Sequence, residues 1–187
     1  LLFLTATAAI CSACGSPPTV QLIELTRRPS ETVPLAALVT LQTDQPTTVS
    51  IELDDGEHTW SVGQNTELAS RHEIPLLGMH PDRLHTVRVE VIDTRGRIVS
   101  TLPLEVTTPP LPEEFPSLET RISEPDRMEP GFTMFDTTYR GEDGPDKPGP
   151  LVIVDADGEI VWYYWADHDI GDARRLQNGN IMYLSDR

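Results

Sequence analysis

Apolar and polar residues alternate along much of the chain between residues 20 and 108. In residues 48–53 and 85–92 every second position carries an apolar residue, and this period of two is typical of strands with one buried face. Turn residues separate these segments, and none of them has the period of a helix. The pattern predicts an antiparallel β-sandwich over residues 20–108, with strands at residues 20–23, 36–41, 48–53, 59–62, 85–92 and 98–106.

A proline-rich segment follows at residues 109–130. Prolines stand at positions 109, 110, 112, 116, 125 and 130. Because proline fixes φ and has no N–H to donate, this segment cannot form a central strand. We expect either a semi-rigid spacer or a strap that lies over the neighbouring domains.

The pattern changes again in residues 131–187, where short strands follow one another as hairpins. Strands are predicted at 132–135, 151–154 and 160–165, and a hairpin over 174–184 turns at Asn178-Gly179. Consecutive hairpins of this kind indicate the first blade of a β-propeller. One blade cannot close a ring, so we expect a truncated propeller whose later repeats lie beyond residue 187. The fold class predicted for the whole chain is all-β.

The net charge of −16 changes the list of possible partners. A nucleic-acid backbone requires a basic surface that displaces counterions, so we expect no nucleic-acid partner. Apolar residues make up 38% of the chain, which is a globular composition and not a disordered one.

The start of the chain is typical of an export signal. Residues 1–10 are mostly apolar and run into small residues that surround Cys11 and Cys14. The Ser12-Ala13-Cys14 sequence looks like a bacterial lipobox, which predicts a lipoprotein signal peptide at 1–14, lipid attachment at Cys14 and a tether at 15–19. We therefore expect an exported, periplasmic or cell-surface protein that is anchored to the outer membrane. An ordinary secretory signal is the alternative.

Two polar motifs in the blade segment have both a chemical and a structural interpretation. Asp155-Ala156-Asp157-Gly158 is similar to the start of a calcium loop, but the further ligands of such a loop are missing, so we expect a tight turn and no metal. His168, between Asp167 and Asp169, is suited to act as a general base, a metal ligand or an anchor for an anionic substrate. A solvated connection between two strands is the simpler interpretation of this histidine.

Four consecutive aromatic residues, at positions 162–165, have the same ambiguity. They are suited to form a stacking platform for an aromatic or sugar ligand. Alternation places two of them on each face of the strand, so we expect at least one pair to pack within the blade.

The segment 72–89 resembles the E–F corner of a fibronectin type III domain. Met79 stands where that family has a leucine, and His85 stands where it has the corner tyrosine. The resemblance implies an Ig-like or fibronectin III-like sandwich over residues 20–108. It also implies that His85 stabilises the corner through a hydrogen bond to the backbone.

Residues 131–184 resemble the first propeller repeat of the bacterial arylsulfotransferase family. The resemblance rests on the entry Pro130-Gly131-Phe132-Thr133, on Val154-Asp155-Ala156-Asp157-Gly158-Glu159-Ile160-Val161-Trp162 and on Asp172-Ala173-Arg174-Arg175-Leu176-Gln177-Asn178-Gly179-Asn180-Ile181. It implies a sulfotransferase that moves a sulfuryl group from an aryl sulfate to a phenolic acceptor without a cofactor. In that family a propeller histidine becomes sulfated, and no residue of this chain matches it by motif.

Two functional hypotheses follow from this resemblance. In the first, the chain is the N-terminal fragment of an arylsulfate sulfotransferase, inactive as a fragment, with His168 as a candidate for the mouth of the substrate channel. In the second, the sandwich and propeller belong to a non-catalytic surface lipoprotein that binds a polymer or a protein partner.

Overall fold

The computed structural model describes residues 16–27, 30–101, 103–124, 127, 129–139 and 147–186. Residues 1–15, with Cys11 and the predicted lipidation site Cys14, lie outside the described residues. The described part of the chain is all-β, as predicted, and contains no α-helix. Accordingly, no helix in that part is long and apolar enough to cross a membrane. Its strands are β1 Val20–Arg27, β2 Ala37–Asp54, β3 Thr59–Leu76, β4 Leu84–Asp93, β5 Ile98–Ser100, β6 Leu104–Thr107, β7 Thr133–Tyr139, β8 Lys147–Val154, β9 Ile160–Tyr164, β10 Asp169–Arg175 and β11 Ile181–Asp186.

Strands β1–β6 form one antiparallel sheet that bends around a common core. Strand β1 pairs with residues 37–43 of β2, whereas β4 pairs with residues 47–54 of the same strand, and β3 follows β2 along both halves. The two strands predicted at 36–41 and 48–53 are therefore the two halves of β2. The prediction placed a break where the structure has a bend, because Thr43 Oγ1 donates a hydrogen bond to Gln45 O at 2.8 Å and satisfies the irregular backbone there.

The core of this Ig-like domain follows the period of two that the sequence predicts. Odd-numbered residues of β2 and β4 point inward on both halves of the sheet, and the fully buried ones include Val39, Ile51, Leu53, Val87 and Val89. Each such side chain stabilises the fold by about 1.5–3 kcal/mol relative to an exposed one. Met79 is also fully buried in this cluster. It thereby anchors the corner before β4 from which His80 and Arg83 project.

Strands β7–β11 form two small sheets that are compatible with a propeller blade. Strands β7, β8 and β9 make a three-stranded sheet, and β10 and β11 make a hairpin that packs on β7 and β8. The hairpin turns at Gly179, whose φ of +88° is the left-handed conformation that glycine adopts without strain. The predicted turn at Asn178-Gly179 is confirmed, although β10 begins at Asp169, five residues before the predicted hairpin.

The proline-rich segment lies over both domains as a strap. No strand occurs in its described residues, which are 109–124, 127, 129 and 130. Thr108 Oγ1 donates a hydrogen bond to His80 O at 2.6 Å, which ties the start of the strap to the Ig-like domain. Further along, the ring of Phe115 packs edge-on against Tyr163 of the blade at 5.1 Å, and Ser123 Oγ donates a hydrogen bond to Ala156 O at 3.0 Å. Of the two predicted alternatives, a semi-rigid spacer and a strap, these contacts support the strap.

Candidate functional site

The densest polar cluster among the described residues lies where the Ig-like domain meets the blade. Three loops converge there: the β2–β3 turn at residues 55–58, the corner at residues 77–83 and the β8–β9 turn at residues 155–159. We call this set of contacts the junction cluster. Its members are Asp55, Glu57, His80, Arg83, Asp155 and Glu159.

Asp55 is the buried acceptor of the junction cluster. Its Oδ1 accepts hydrogen bonds from the backbone N–H groups of Glu57 at 3.0 Å and His58 at 2.7 Å, which closes the β2–β3 turn. Its Oδ2 accepts from His80 Nδ1 at 2.8 Å and from Arg83 Nη1 at 2.9 Å. Burial raises the pKa of Asp55, but the hydrogen bonds from the His58 backbone and the Arg83 guanidinium outweigh burial and hold this pKa well below 3.8.

Asp155 repeats the arrangement on the blade. Its Oδ1 accepts hydrogen bonds from the backbone N–H groups of Asp157 at 3.0 Å and Glu159 at 2.9 Å, while its Oδ2 lies 3.0 Å from His80 Nε2. Gly158 completes the turn with a φ of +81°. The calcium-like motif therefore forms the tight turn that we expected, and its first carboxylate reaches across to the other domain.

His80 and Arg83 supply the nitrogen atoms that contact these carboxylates. The side chain of His80 is only 5% exposed. Arg83 spans the two domains, because Nη1 contacts Asp55 while Nη2 lies 3.0 Å from Glu159 Oε2. The hydrogen bond to Asp55 raises the pKa of Arg83, so its guanidinium stays charged.

The oxygen and nitrogen atoms of His80, Asp155 and Glu159 lie within 4.8 Å of one another, close enough to hold a cation. However, Arg83 already contacts both Glu159 oxygens, and His80 lies between the two aspartates. The cluster is therefore accounted for as an ion-pair network in which the cations are side chains. Its chemistry is that of binding and positioning, because it contains no nucleophile next to a general base.

His85 does not form the corner hydrogen bond that its resemblance to the fibronectin tyrosine implied. Its side chain is fully buried, and neither ring nitrogen has a hydrogen-bond partner among the described residues. The ring instead packs edge-on against Trp60 at 5.9 Å, and Trp60 in turn covers Gly78, whose missing Cβ leaves room for the indole. Burial lowers the pKa of His85, and the backbone groups of Arg83 and Val106 beside the ring act against burial.

His168 lies in the connection between β9 and β10, and none of its described contacts is with a residue of the junction cluster. Its Nδ1 is 2.8 Å from Asp167 Oδ1, its ring stacks on Tyr183 at 5.7 Å, and its Nε2 is buried without a hydrogen-bond partner among the described residues. The side chain is 27% exposed. No contact tests a role at a channel mouth, so that role stays a prediction.

The four aromatic residues divide between the two faces of β9, as alternation predicted. Tyr163 and Trp165 both pack against Phe115 of the strap. Trp162 and Tyr164 stack at 6.4 Å and continue to Tyr183 at 6.0 Å. A side-chain hydrogen bond with Tyr183 raises the pKa of Tyr164. One face therefore holds the strap, and the other carries an aromatic row with His168 at its end.

Sequence reasoning did not find the junction cluster. Its only local signal was the pair of Asp-rich turns that end in Gly56 and Gly158, and both turns were assigned correctly. Their outer carboxylate oxygens meet on one imidazole, and that meeting depends on how two domains pack.

The bent sheet, the buried corner and the paired turns define a class of protein, namely an Ig-like β-sandwich domain joined to a second β-domain. Residues 25–109 match the family described as the arylsulfotransferase Ig-like domain. Over these residues the chain is similar to the Ig-like domain of arylsulfotransferases. This match supports the family that the sequence analysis recognised, whereas the motifs in residues 131–184 lie outside the matched residues and stay a prediction. No curated protein matches the chain.

Proposed function

We propose that this chain is the N-terminal part of an exported arylsulfotransferase that transfers a sulfuryl group from an aryl sulfate to a phenolic acceptor. The match of residues 25–109 to the arylsulfotransferase Ig-like domain carries the proposal. The family motifs in residues 131–184 support it from the blade.

The proposed reaction needs a nucleophile and no cofactor. A histidine nitrogen attacks the sulfur atom of the donor, an N–S bond forms, the S–O bond to the aryl group breaks, and a phenolate leaves. A second phenol then attacks the same sulfur: a new S–O bond forms, the N–S bond breaks and frees the histidine, and the proton of this phenol passes to water, which replaces the proton that the first phenolate takes up. Cations near the sulfuryl oxygens lower the barrier of both steps. We assign this histidine to residues beyond the 187 of this chain.

In this proposal the chain contributes position rather than bond making. The strap and the junction cluster hold the Ig-like domain against the first blade through Phe115, Arg83 and His80. Misplacement of a reacting group by about 1 Å can lower a rate about 100-fold, so a rigid first blade matters for groups on opposing blades. The aromatic row that ends at His168 is suited to the ring of a phenolic substrate.

The proposal includes export and a lipid anchor at Cys14, which would hold the enzyme at the periplasmic or outer surface of a membrane. The Ser12-Ala13-Cys14 sequence supports this part. Its substrates would be aryl sulfates and phenols that reach that compartment, and nucleic acid is not among the partners.

Activity measurements on two samples test the proposal. A chromogenic aryl sulfate and a phenol are supplied to the 187-residue chain and, separately, to the complete gene product that contains it. We expect no transfer by the chain and ping-pong transfer by the complete protein. His168→Ala in the complete protein should weaken substrate use if His168 lies at the channel mouth, and should leave rates near wild type if it only connects strands. A complete protein that binds a polymer or a partner but transfers no sulfuryl group would contradict the proposal and favour the non-catalytic lipoprotein.

A further inference from the structure

The imidazole of His80 joins carboxylates from two domains. Nδ1 lies 2.8 Å from Asp55 Oδ2 and Nε2 lies 3.0 Å from Asp155 Oδ2. An ionised carboxylate accepts hydrogen bonds and has no hydrogen to donate. When both carboxylates are ionised, each ring nitrogen contacts an acceptor, and a histidine that donates from both nitrogens is an imidazolium.

Most of the charged groups around the ring are carboxylates. The groups that face it are Asp55, Glu57 and His58 from the β2–β3 turn, Arg83 and His85 from the corner and the start of β4, and Asp155 and Glu159 from the β8–β9 turn. Four of them are carboxylates and one is a guanidinium, so a second positive charge reduces the imbalance. Burial lowers the pKa of the neighbouring His85.

We propose that His80 is a proton-dependent clasp that fixes the Ig-like domain to the blade. When the ring gives one proton to water, one nitrogen presents a lone pair to a carboxylate, and that contact becomes repulsive.

The contact that is lost is the one to Asp155. Asp55 is fully buried and keeps hydrogen bonds from Arg83 and from the turn backbone, so it retains the remaining ring N–H. Asp155 is 18% exposed and can turn to water. Loss of this contact removes one link between the blade turn and the corner and leaves the Arg83–Glu159 pair, together with the strap contacts of Phe115 and Ser123, between the domains. That pair is 25% and 42% exposed, so water and salt screen it.

The proton is the cation that this site fits. A divalent metal at His80, Asp155 and Glu159 would lie beside the Arg83 guanidinium, which already contacts Glu159. Protons can reach the ring, because His80 lines an open groove of about 420 Å³ between the strap and the β8–β9 turn. The clasp therefore responds to the pH outside the molecule without a bound ion.

Nuclear magnetic resonance on the isotopically labelled chain tests both halves of this proposal. Long-range ring spectra give the protonation of each His80 nitrogen, and residual dipolar couplings show whether the Ig-like domain and the blade share one orientation. At about pH 6 we expect an imidazolium and one common alignment tensor; at about pH 8.5 we expect one ring N–H and two separate tensors. A common tensor at both values while the ring changes state would overturn the clasp, as would a neutral ring at pH 6.

Variants separate the clasp from general destabilisation. Asp155→Asn alters the blade side alone, leaves the Ig-like core intact and should give two tensors at pH 6. His80→Gln should do the same at both pH values. His168→Gln is the matched control, since its only charged neighbour among the described contacts is Asp167 of the same domain, and it should keep one tensor at pH 6. If EDTA separates the domains of the wild type at pH 6, the site holds a metal and the proposal is wrong.

Discussion

Asp55→Asn removes the charge at the centre of the junction cluster and preserves the shape of the side chain. The asparagine oxygen can still accept from the His58 and Glu57 backbone and close the turn. Its NH₂ group, however, replaces the oxygen that accepts from His80 Nδ1 and Arg83 Nη1. Two cations then face a donor in place of an acceptor.

The size of the effect follows from burial and from the remaining partners. Removing one member of a buried ion pair costs about 3–5 kcal/mol. Arg83 and His80 keep Glu159 and Asp155 as partners, so we expect the lower end, about 3 kcal/mol. With a urea dependence of about 2 kcal/mol per molar, the midpoint of unfolding should fall by about 1.5 M.

Urea unfolding followed by circular dichroism measures this loss, and Asp54→Asn is the matched control. Asp54 stands in the same turn, accepts from Gly56 N–H at 2.8 Å and pairs with Arg88 at the surface, where both side chains are partly exposed. Its neutralisation should cost no more than about 1 kcal/mol. Equal losses for the two variants would show that Asp55 is no more than a turn residue.

The pH dependence of the unfolding free energy gives an independent check on the contribution of Asp55 to stability. Because the folded pKa of Asp55 lies below 3.8, the folded state holds the carboxylate at a pH where the unfolded chain has taken up a proton. The stability that Asp55 provides is therefore complete above about pH 5 and is lost as the pH falls through the folded value. The difference in unfolding free energy between the wild type and Asp55→Asn should be constant from about pH 6 to pH 5 and shrink below about pH 4. A difference that grows in acid would refute the assignment.

Three further predictions concern the turn, the strap and the N-terminus. Gly158→Ala should cost about 1–2 kcal/mol because of its positive φ, and more because the new Cβ would overlap Thr120 Oγ1. Gly56→Ala is the control: its φ is +89° and the space around it is open, so it should show the backbone cost alone. Equal losses in thermal unfolding would exclude a strap contact at Gly158. Trypsin should cut first within residues 107–130, for example after Arg121, whose side chain is 83% exposed, and should leave a folded Ig-like domain; a first cut within residues 48–92 would count against that domain. Mass spectrometry of the mature protein should find acyl chains on Cys14, and a free N-terminus at Ser16 or later would rule out the lipid anchor.

Much of the fold could be predicted because its signals are local. Strands β2 and β4 have a period-two pattern that the sequence shows by itself, in residues 48–53 and 85–92. The turns at Gly158 and Gly179 follow from the positive φ that glycine tolerates. The arylsulfotransferase resemblance likewise depended on short motifs, and the match of residues 25–109 confirms the family.

The junction cluster depends on packing over long separations. His80 and Asp155 are 75 residues apart, and neither has a neighbour in the chain that reveals the other. Strand β2 continues through a register shift between Gln42 and Thr47, where the Thr43 hydroxyl bonds to Gln45 O, and the ring of His85 packs on Trp60. Periodicity states which face of a strand is buried, but it carries no information about which turn of another domain will face it. The strands, their buried faces and the turns can therefore be predicted from the order of residues. The partner of each buried charge depends on how one domain packs on the other.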